Sequence, residues 1–279
     1  MLKEFLKEQD LDFTVSKTPC LANINATEVL KNRYITYRTD TNKLFDVVSN
    51  KYTIIQNRDA LEFLEVLVDS GDIELNKAFL VNDGAKYMLQ CKINNNLILK
   101  NGDAIQKYIT IINSHEGSWN CSSMITPVRL VCQNQFTFFT SQKDSQRIKI
   151  RHTANYKDKL DQAQKVLGIT DSLYSQLEEQ LNELIDNKVP DKNVEKIFKR
   201  VFYSPKEIKD ETSVSTRKEN IYKGVLDFYK KGIGQSNIQG TAFGITQAIS
   251  GYYTHKGLDY QDLIMGVPKI AFDKAYSLF

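Results

Sequence analysis

The sequence has few of the residues that mark disordered or disulfide-rich proteins. Its 279 residues include only five prolines and thirteen glycines, which argues against a disordered or collagen-like chain. None of the four cysteines belongs to a CxxC pair, and all lie in apolar, strand-like segments: Cys20, Cys91, Cys121 and Cys132. We therefore expect buried free thiols rather than disulfides or zinc ligands.

Patterns typical of metal sites and nucleotide-dependent enzymes are also missing. The three histidines lie far apart, and no HxH or HExxH pair is present, so a metal site is unsupported. The segment "KGIGQSNIQG" contains a G-x-G, but its spacing does not fit a dinucleotide-binding fingerprint and it has no NTPase-loop lysine. We expect no cofactor.

Two weaker catalytic patterns have simpler structural explanations. Asp191, Glu207 and Lys209 resemble the acid–acid–lysine set of metal-dependent nucleases, but we predict them on a helix and in a polar loop rather than on adjacent strands. Cys132 and His152 could form a thiol–imidazole pair, yet the cysteine is predicted to face the core. The sequence therefore favours a protein that is not an enzyme.

The composition is that of an ordinary globular protein, with 41% hydrophobic and 25% charged residues. The chain is long enough for one large or two modest domains. No apolar run is long enough to cross a bilayer, and the first residues do not form a basic-then-apolar leader. We expect a cytoplasmic protein with no membrane partner.

The periodicity of the apolar residues changes near residue 153. Residues 30–153 alternate as strands do, with one helical stripe from Asn57, a candidate cap, to Gly71. The turn signals "DTNK", "NDGA" and "HEGSW" separate the strands. Residues 154–279 repeat at helical steps. The predicted fold class is α+β: after an arm of residues 1–29, an antiparallel sheet with a packed helix is followed by a mostly helical C-terminal half.

The helical half is predicted to contain five helices and one polar loop. A glycine, Gly168, separates the first two helices, and Asp171 is the candidate cap of the second. The predicted helices are 155–168, 170–187, 190–203, 221–234 and 241–257, and the polar loop is 204–220.

The first of two basic clusters lies at residues 141–160. Six Lys and Arg residues oppose two Asp residues there, a local charge of +4 compared with +3 for the whole chain. Arg147, Lys149 and Arg151 alternate with isoleucines, which predicts a strand with one basic and one apolar face. Such a run is often only a solvated face. A polyanionic ligand is the alternative.

The second basic cluster spans residues 192–218, where eight cations oppose four acids. On a helix, four of these cations share one sector, while Phe198 and Phe202 point to the other side and Tyr203 follows at the helix end. The four are Lys192, Lys196, Lys199 and Arg200. Cations for phosphates and aromatic faces for bases are what single-strand binding requires.

Three segments resemble a family of phage- and plasmid-related proteins catalogued as a domain of unknown function. The resemblance covers most of the chain from about Asn32 onward. The matching positions are Arg129, Val131, Cys132 and Asn134, then Ile150, Arg151, His152 and Thr153, and finally Gly240, Thr241, Ala248, Tyr252 and His255. The resemblance implies a protein of a mobile genetic element in a bacterial host cell.

The predicted order of strands and helices is also similar to the core of phage single-strand annealing proteins. Those proteins form rings or filaments that hold extended DNA in a basic groove, so this resemblance implies a homo-oligomer. It is an analogy at the level of fold.

Together these patterns predict a non-catalytic, oligomeric protein that binds single-stranded DNA and anneals it during phage recombination. Trp119 and Tyr203 are the candidate stacking residues. The candidate phosphate contacts are Arg129, Arg147, Lys149, Arg151, Lys196, Lys199 and Arg200. The alternative is a protein-interaction or virion-associated module whose basic face binds an acidic protein. A third class, a nuclease, would depend on Asp191 or Glu207.

Overall fold

The fold is that of a computed structural model, which describes residues 1–23, 27–129, 134–135, 148–149, 156–210, 213–256, 271 and 274–279. Antiparallel strands occupy the N-terminal half and helices the C-terminal half. The α+β fold class predicted from the sequence is confirmed. The predicted boundary at residue 153 lies outside the described residues.

The described strands form three antiparallel sheets. One sheet has the order β1-β2-β3, the second β11-β10-β7-β6, and the third β12-β9-β8-β5-β4. The strands are β1 (Val15–Asn23), β2 (Thr27–Arg38), β3 (Leu44–Ser49), β4 (Ile73–Val81), β5 (Lys86–Ile93), β6 (Leu97–Ile98), β7 (Ala104–Gln106), β8 (Tyr108–Ser114), β9 (Ser122–Ile125), β10 (Val128–Arg129), β11 (Asn134–Gln135) and β12 (Ile148–Lys149).

The described helices are concentrated after residue 155. They are α1 (Leu2–Glu8), α2 (Asn57–Leu61), α3 (Leu64–Asp69), α4 (Tyr156–Asp186), α5 (Asp191–Phe202), α6 (Pro205–Lys209), α7 (Thr216–Lys231) and α8 (Ala242–His255). Within the described ranges, no helix is both long and apolar enough to cross a membrane.

The chain divides into two compact units that interleave along the sequence. The first contains residues 1–94, 108–124 and 144–171, and the second contains 95–107, 125–143 and 172–279. Helix α4 therefore contributes its first half to one unit and its second half to the other. The predicted N-terminal arm contains α1 and β1, and β1 pairs with β2 inside the first unit.

The core of the first unit is the five-stranded sheet. Strands β5 and β8 pair in antiparallel register, with Leu89 opposite Ile111. Nearly every residue of both strands is buried, so both faces of the sheet are covered. The short helix α3 packs against β4 and buries Leu64 and Leu67.

The helical stripe between Asn57 and Gly71 forms two short helices, α2 and α3, instead of the single predicted helix. Asn57 does not cap α2, because its side chain is used elsewhere. Its amide nitrogen donates to the Leu11 carbonyl at 3.0 Å, and its oxygen lies 2.8 Å from His115 Nε2.

His115 lies at the base of the β8–β9 turn and is fully buried. The rings of Phe13, Phe45 and Tyr87 surround it at centroid distances of 6.0, 6.1 and 6.3 Å. Within the described part of the chain, its Nδ1 has no hydrogen-bond partner. Burial lowers the pKa of this histidine to about 4.

The thiol prediction holds for two of the four cysteines. Cys91 and Cys121 are buried and free, whereas Cys20 is free but only half-buried. Cys132 lies outside the described residues. Burial raises the pKa of both buried thiols, which keeps them protonated and unreactive.

The C-terminal helices differ from the prediction in two places. Helix α4 is continuous for 31 residues, so Gly168 does not end a helix and Asp171 does not begin one. The predicted polar loop contains α6 and the first turn of α7. Helix α6 forms because Ser204 and Glu207 make a reciprocal capping box.

In the second unit, the end of α4 and the start of α8 form a short backbone bridge. The Val189 N–H donates to the Gly240 carbonyl, and the Ala242 N–H donates to the Asn187 carbonyl, both at 2.8 Å. The Gly240 N–H also donates to the Tyr229 hydroxyl at 2.8 Å. This junction joins α4, α7 and α8.

Helix α8 begins at this junction. The Thr241 hydroxyl accepts from the Gly244 N–H at 3.0 Å, which caps the first turn. Gly240, immediately before the cap, has a φ of +74°, and glycine adopts this left-handed conformation at little cost.

Acidification should destabilise the first unit through His115. The folded pKa is about 4, below the value of about 6.5 in an unfolded chain. The unfolded chain therefore binds the proton first as the pH falls, and stability is lost between about pH 6.5 and pH 4. This loss should reach about 3 kcal/mol at most, measured as the free energy of unfolding in urea at several pH values.

The His115→Leu variant should show a flatter pH profile over this range, although it should be less stable at pH 7 because Asn57 loses its partner. The control is His255→Gln, which changes an exposed histidine and should keep the slope of the wild-type protein. Equal slopes for the wild-type protein and His115→Leu would contradict the assignment.

A pair of glycine substitutions tests the junction between α4 and α8. Gly240→Ala should destabilise the protein by about 1–2 kcal/mol, because the backbone there is left-handed. Gly168→Ala is the matched control, since Gly168 lies inside α4 with open space where the methyl group of an alanine would lie. It should stabilise the helix by about 0.5–1 kcal/mol. Urea unfolding of both variants measures the difference, and effects of the same sign would count against the account.

Candidate nucleic-acid interface

Helix α5 presents one apolar and one basic side, as its sequence predicts. Val194, Phe198 and Val201 are buried. Lys192, Lys196 and Arg200 are exposed on the opposite side, and these three residues are here termed the α5 face. Arg200 also lies in the last helical turn, where a cation interacts favourably with the helix dipole.

The three cations of the α5 face have no counterion among the residues that the structure describes. Within the described part of the chain, none of their side chains forms an ion pair or hydrogen bond. Of the two acids on the same helix, Asp191 lies in the first turn and Glu195 lies 3.6 Å from Lys230 of α7. Lys199, the fourth predicted cation, is half-buried and makes contacts of its own. The α5 face therefore remains available to an external anion.

The spacing of the α5 face suits a repeating anion. Its residues are four positions apart, so that successive cations are about 6 Å apart along the helix axis. A row of cations on one rigid element can neutralise successive phosphates of a nucleic-acid backbone. A single small anion would need the cations to converge on one point.

The buried side of α5 fixes the direction of this face. The Phe198 ring packs edge-on against the Tyr229 ring, with centroids 5.8 Å apart. Tyr229 in turn accepts the Gly240 N–H. The orientation of the α5 face therefore depends on the junction between α4 and α8.

Tyr203 does not fit the stacking role that the sequence suggested for it. Its side chain is only 4% exposed, and its ring lies against Tyr222 with centroids 5.4 Å apart. A ring enclosed in this way cannot present a face to a base. Tyr203 is therefore not a stacking residue.

Trp119, the other candidate stacking residue, is half-buried in the turn between β8 and β9 of the first unit. Its backbone N–H donates to Ser114 Oγ at 2.9 Å. The ammonium of Lys86 lies 5.1 Å from the ring centroid and also pairs with Glu116 at 2.7 Å. The stacking role of Trp119 stays a prediction.

The other predicted phosphate contacts are described only in part. Arg129 lies in β10 of the second unit, and Lys149 lies in β12 of the first unit, where it is opposite Ser122 of β9. Arg147 and Arg151 lie outside the described residues. A single groove lined by all these cations, which the similarity to annealing proteins implies, stays a prediction.

One acid of the nuclease pattern, Glu207, is used for local structure. Glu207 accepts from Lys218 Nζ at 2.8 and 2.9 Å and from the Ser204 N–H at 2.7 Å. The hydrogen bond from Lys218, followed by that from Ser204, lowers the pKa of Glu207 to about 2. Among the described residues, no group of three His, Cys, Asp or Glu side chains is arranged to hold a metal ion.

A cleft between α7 and α8 was not recognised from the sequence. It has a volume of about 370 Å³ and is lined by aromatic and basic side chains, including Phe228, Tyr252, His255 and Lys256. Tyr252 and His255 are among the positions that carry the family resemblance in the sequence. A second signal was Gly224, a residue of low helix propensity inside the continuous helix α7.

Comparison with known proteins places the chain in one family. The family described as "Domain of unknown function (DUF932)" matches residues 44–271, which is 228 of the 279 residues. No curated protein and no solved structure matches the chain. The chain belongs to the DUF932 family, whose function is unknown.

Proposed function

We propose that the protein binds single-stranded DNA without catalysing a reaction on it. The observation that carries this proposal is the α5 face, a row of three exposed cations without an internal counterion among the described residues. Exposed like charges on one helix repel one another, and a polyanion removes that repulsion. Binding releases counterions from the nucleic acid, so affinity should depend strongly on salt.

A preference for single strands follows from the aromatic side chains near the cations of the second unit. Duplex DNA hides its base faces, whereas a single strand exposes them to aromatic rings. Tyr252 and Phe228, on the helices of the same unit as α5, are half-buried and line an open cleft. Both phosphates and bases can therefore find partners on this unit.

Annealing in phage recombination is the specific role that we propose, in the cytoplasm of a bacterial host. Pairing two complementary strands requires that their charges be neutralised while their bases remain accessible. It requires neither a metal nor a cofactor. The proposal of a non-catalytic protein is supported by Glu207, whose carboxylate is already held by Lys218 and Ser204.

Oligomer formation is supported by the outer part of the β1–β2 hairpin. Leu21 and Val29 lie opposite each other in the register and are 62% and 65% exposed. Strand β3 reaches only to the pair of Ser49 and Arg33, so no strand among the described residues pairs with β2 on that side beyond this point. Apolar pairs at an open strand edge favour association with another chain.

The salt dependence of binding tests the α5 face. The triple variant Lys192→Gln, Lys196→Gln and Arg200→Gln should bind a labelled oligothymidine more weakly. Because three phosphate contacts are lost, the slope of log K against log salt should fall by about 2. Fluorescence anisotropy at several salt concentrations measures both quantities, and an equal-length duplex should bind more weakly than the single strand.

The matched control removes three lysines, two exposed and one half-buried, that already have acidic partners: Lys43, Lys223 and Lys92. Their replacement by Gln changes the net charge equally and should leave the slope unchanged. If the slope of log K against log salt falls equally in both triple variants, binding reflects net charge alone and the α5 face is not the site. Salt-independent binding would exclude the proposal.

A further inference from the structure

The cleft between α7 and α8 has a composition that the α5 face lacks, namely aromatic side chains together with cations. All of its lining residues belong to the second unit. The Phe228 and His255 rings are stacked, with centroids 5.6 Å apart and planes 22° from parallel. Since His255 is exposed and Phe228 half-buried, the pair forms an accessible aromatic surface.

Two glycines allow the aromatic rings of the cleft to lie directly against the backbone. A Cβ atom at Gly224 would overlap the Tyr252 ring, and one at Gly232 would overlap the Phe228 ring. Glycine within a helix costs about 1 kcal/mol relative to alanine. At Gly224 a larger residue would displace the Tyr252 ring, so the packing of this ring requires glycine despite its cost to the helix.

The cations of the cleft lie beside the aromatic rings. Lys256 Nζ is 2.8 Å from the Tyr252 hydroxyl and 4.9 Å from the ring centroid. Lys231 Nζ is 3.1 Å from Asp227 Oδ1, and both of these side chains are mostly exposed. With one acid and two lysines, the cleft keeps a net positive charge before His255 is counted.

We infer that this cleft binds one nucleotide unit of a single strand, with its base against Phe228 and His255 and its phosphate at Lys256 and Lys231. This inference rests on the proposed function and adds a base-binding subsite to it. The volume of about 370 Å³ is at the lower end of the range for small-ligand sites. The cleft is open, which suits one unit of a continuing polymer.

The aromatic rings allow the cleft to discriminate between a nucleotide unit and other anions. A free phosphate or an acidic peptide would use only the lysines, and would gain nothing from the flat surface of Phe228 and His255. A base gains from both, because stacking on an aromatic ring is favourable for every base. Dependence of the affinity on the presence of bases is therefore the decisive property.

Photo-crosslinking locates the base directly. An oligothymidine that carries one 5-iodouracil is irradiated with the full-length protein, and the crosslinked peptide is identified by mass spectrometry. We expect crosslinks to Phe228, Tyr252 or His255. Crosslinks confined to peptides outside α7 and α8 would overturn the inference.

Affinity for an abasic oligomer provides a second readout. The wild-type protein should bind oligothymidine about tenfold more tightly than an abasic strand of equal length. The double variant His255→Ala and Lys256→Gln, at two exposed positions, should reduce that ratio towards one. The matched control is Asn220→Ala with Lys223→Gln on the exposed side of α7, which should keep the wild-type ratio.

The outcomes distinguish the cleft from the proposed function. If the wild-type protein binds oligothymidine and the abasic strand with equal, salt-dependent affinity, base binding in the cleft is overturned. The proposed role of the α5 face is then still supported. Equal loss for both oligomers in the double variant would reduce the cleft to a phosphate site and overturn base binding. Failure of the wild-type protein to bind any single strand would overturn both proposals.

Discussion

The second unit depends on the backbone bridge between the end of α4 and the start of α8. Two hydrogen bonds of 2.8 Å pair Val189 with Gly240 and Ala242 with Asn187. Helix α5 begins two residues after Val189, and the Tyr229 hydroxyl of α7 binds the same turn. The α5 face and the cleft between α7 and α8 are therefore both oriented by one junction. Buried backbone groups that lose their partners are costly, which makes this junction hard to rearrange.

Local periodicity was sufficient to predict the parts of the fold and site that depend on one segment. Helix α5, its exposed cations and its buried Phe198 follow from apolar spacing over twelve residues. The hairpin between β2 and β3 follows from its turn residues in the same way. In each case the side chains that define the element are close neighbours in sequence.

The incorrect predictions involve contacts between distant residues. Asn57 was expected to cap a helix, but His115, 58 residues later, takes its side chain. Tyr203 was expected to stack on a base, but it is buried against Tyr222 of another helix. Gly168 was expected to end a helix, yet tertiary packing of the apolar face overrides the low propensity of one glycine. The cleft was missed for the same reason, since it requires Phe228 and Tyr252 to meet across two helices.

The cations of the α5 face repel one another in the unbound protein, because no acid among the described residues neutralises them. Two like-charge pairs four residues apart, Lys192 with Lys196 and Lys196 with Arg200, each oppose helix formation by about 0.2–0.5 kcal/mol. Dissolved ions screen this self-repulsion. Raising the ionic strength should therefore make α5 of the free protein more stable while it weakens the complex, so the two effects of salt have opposite signs.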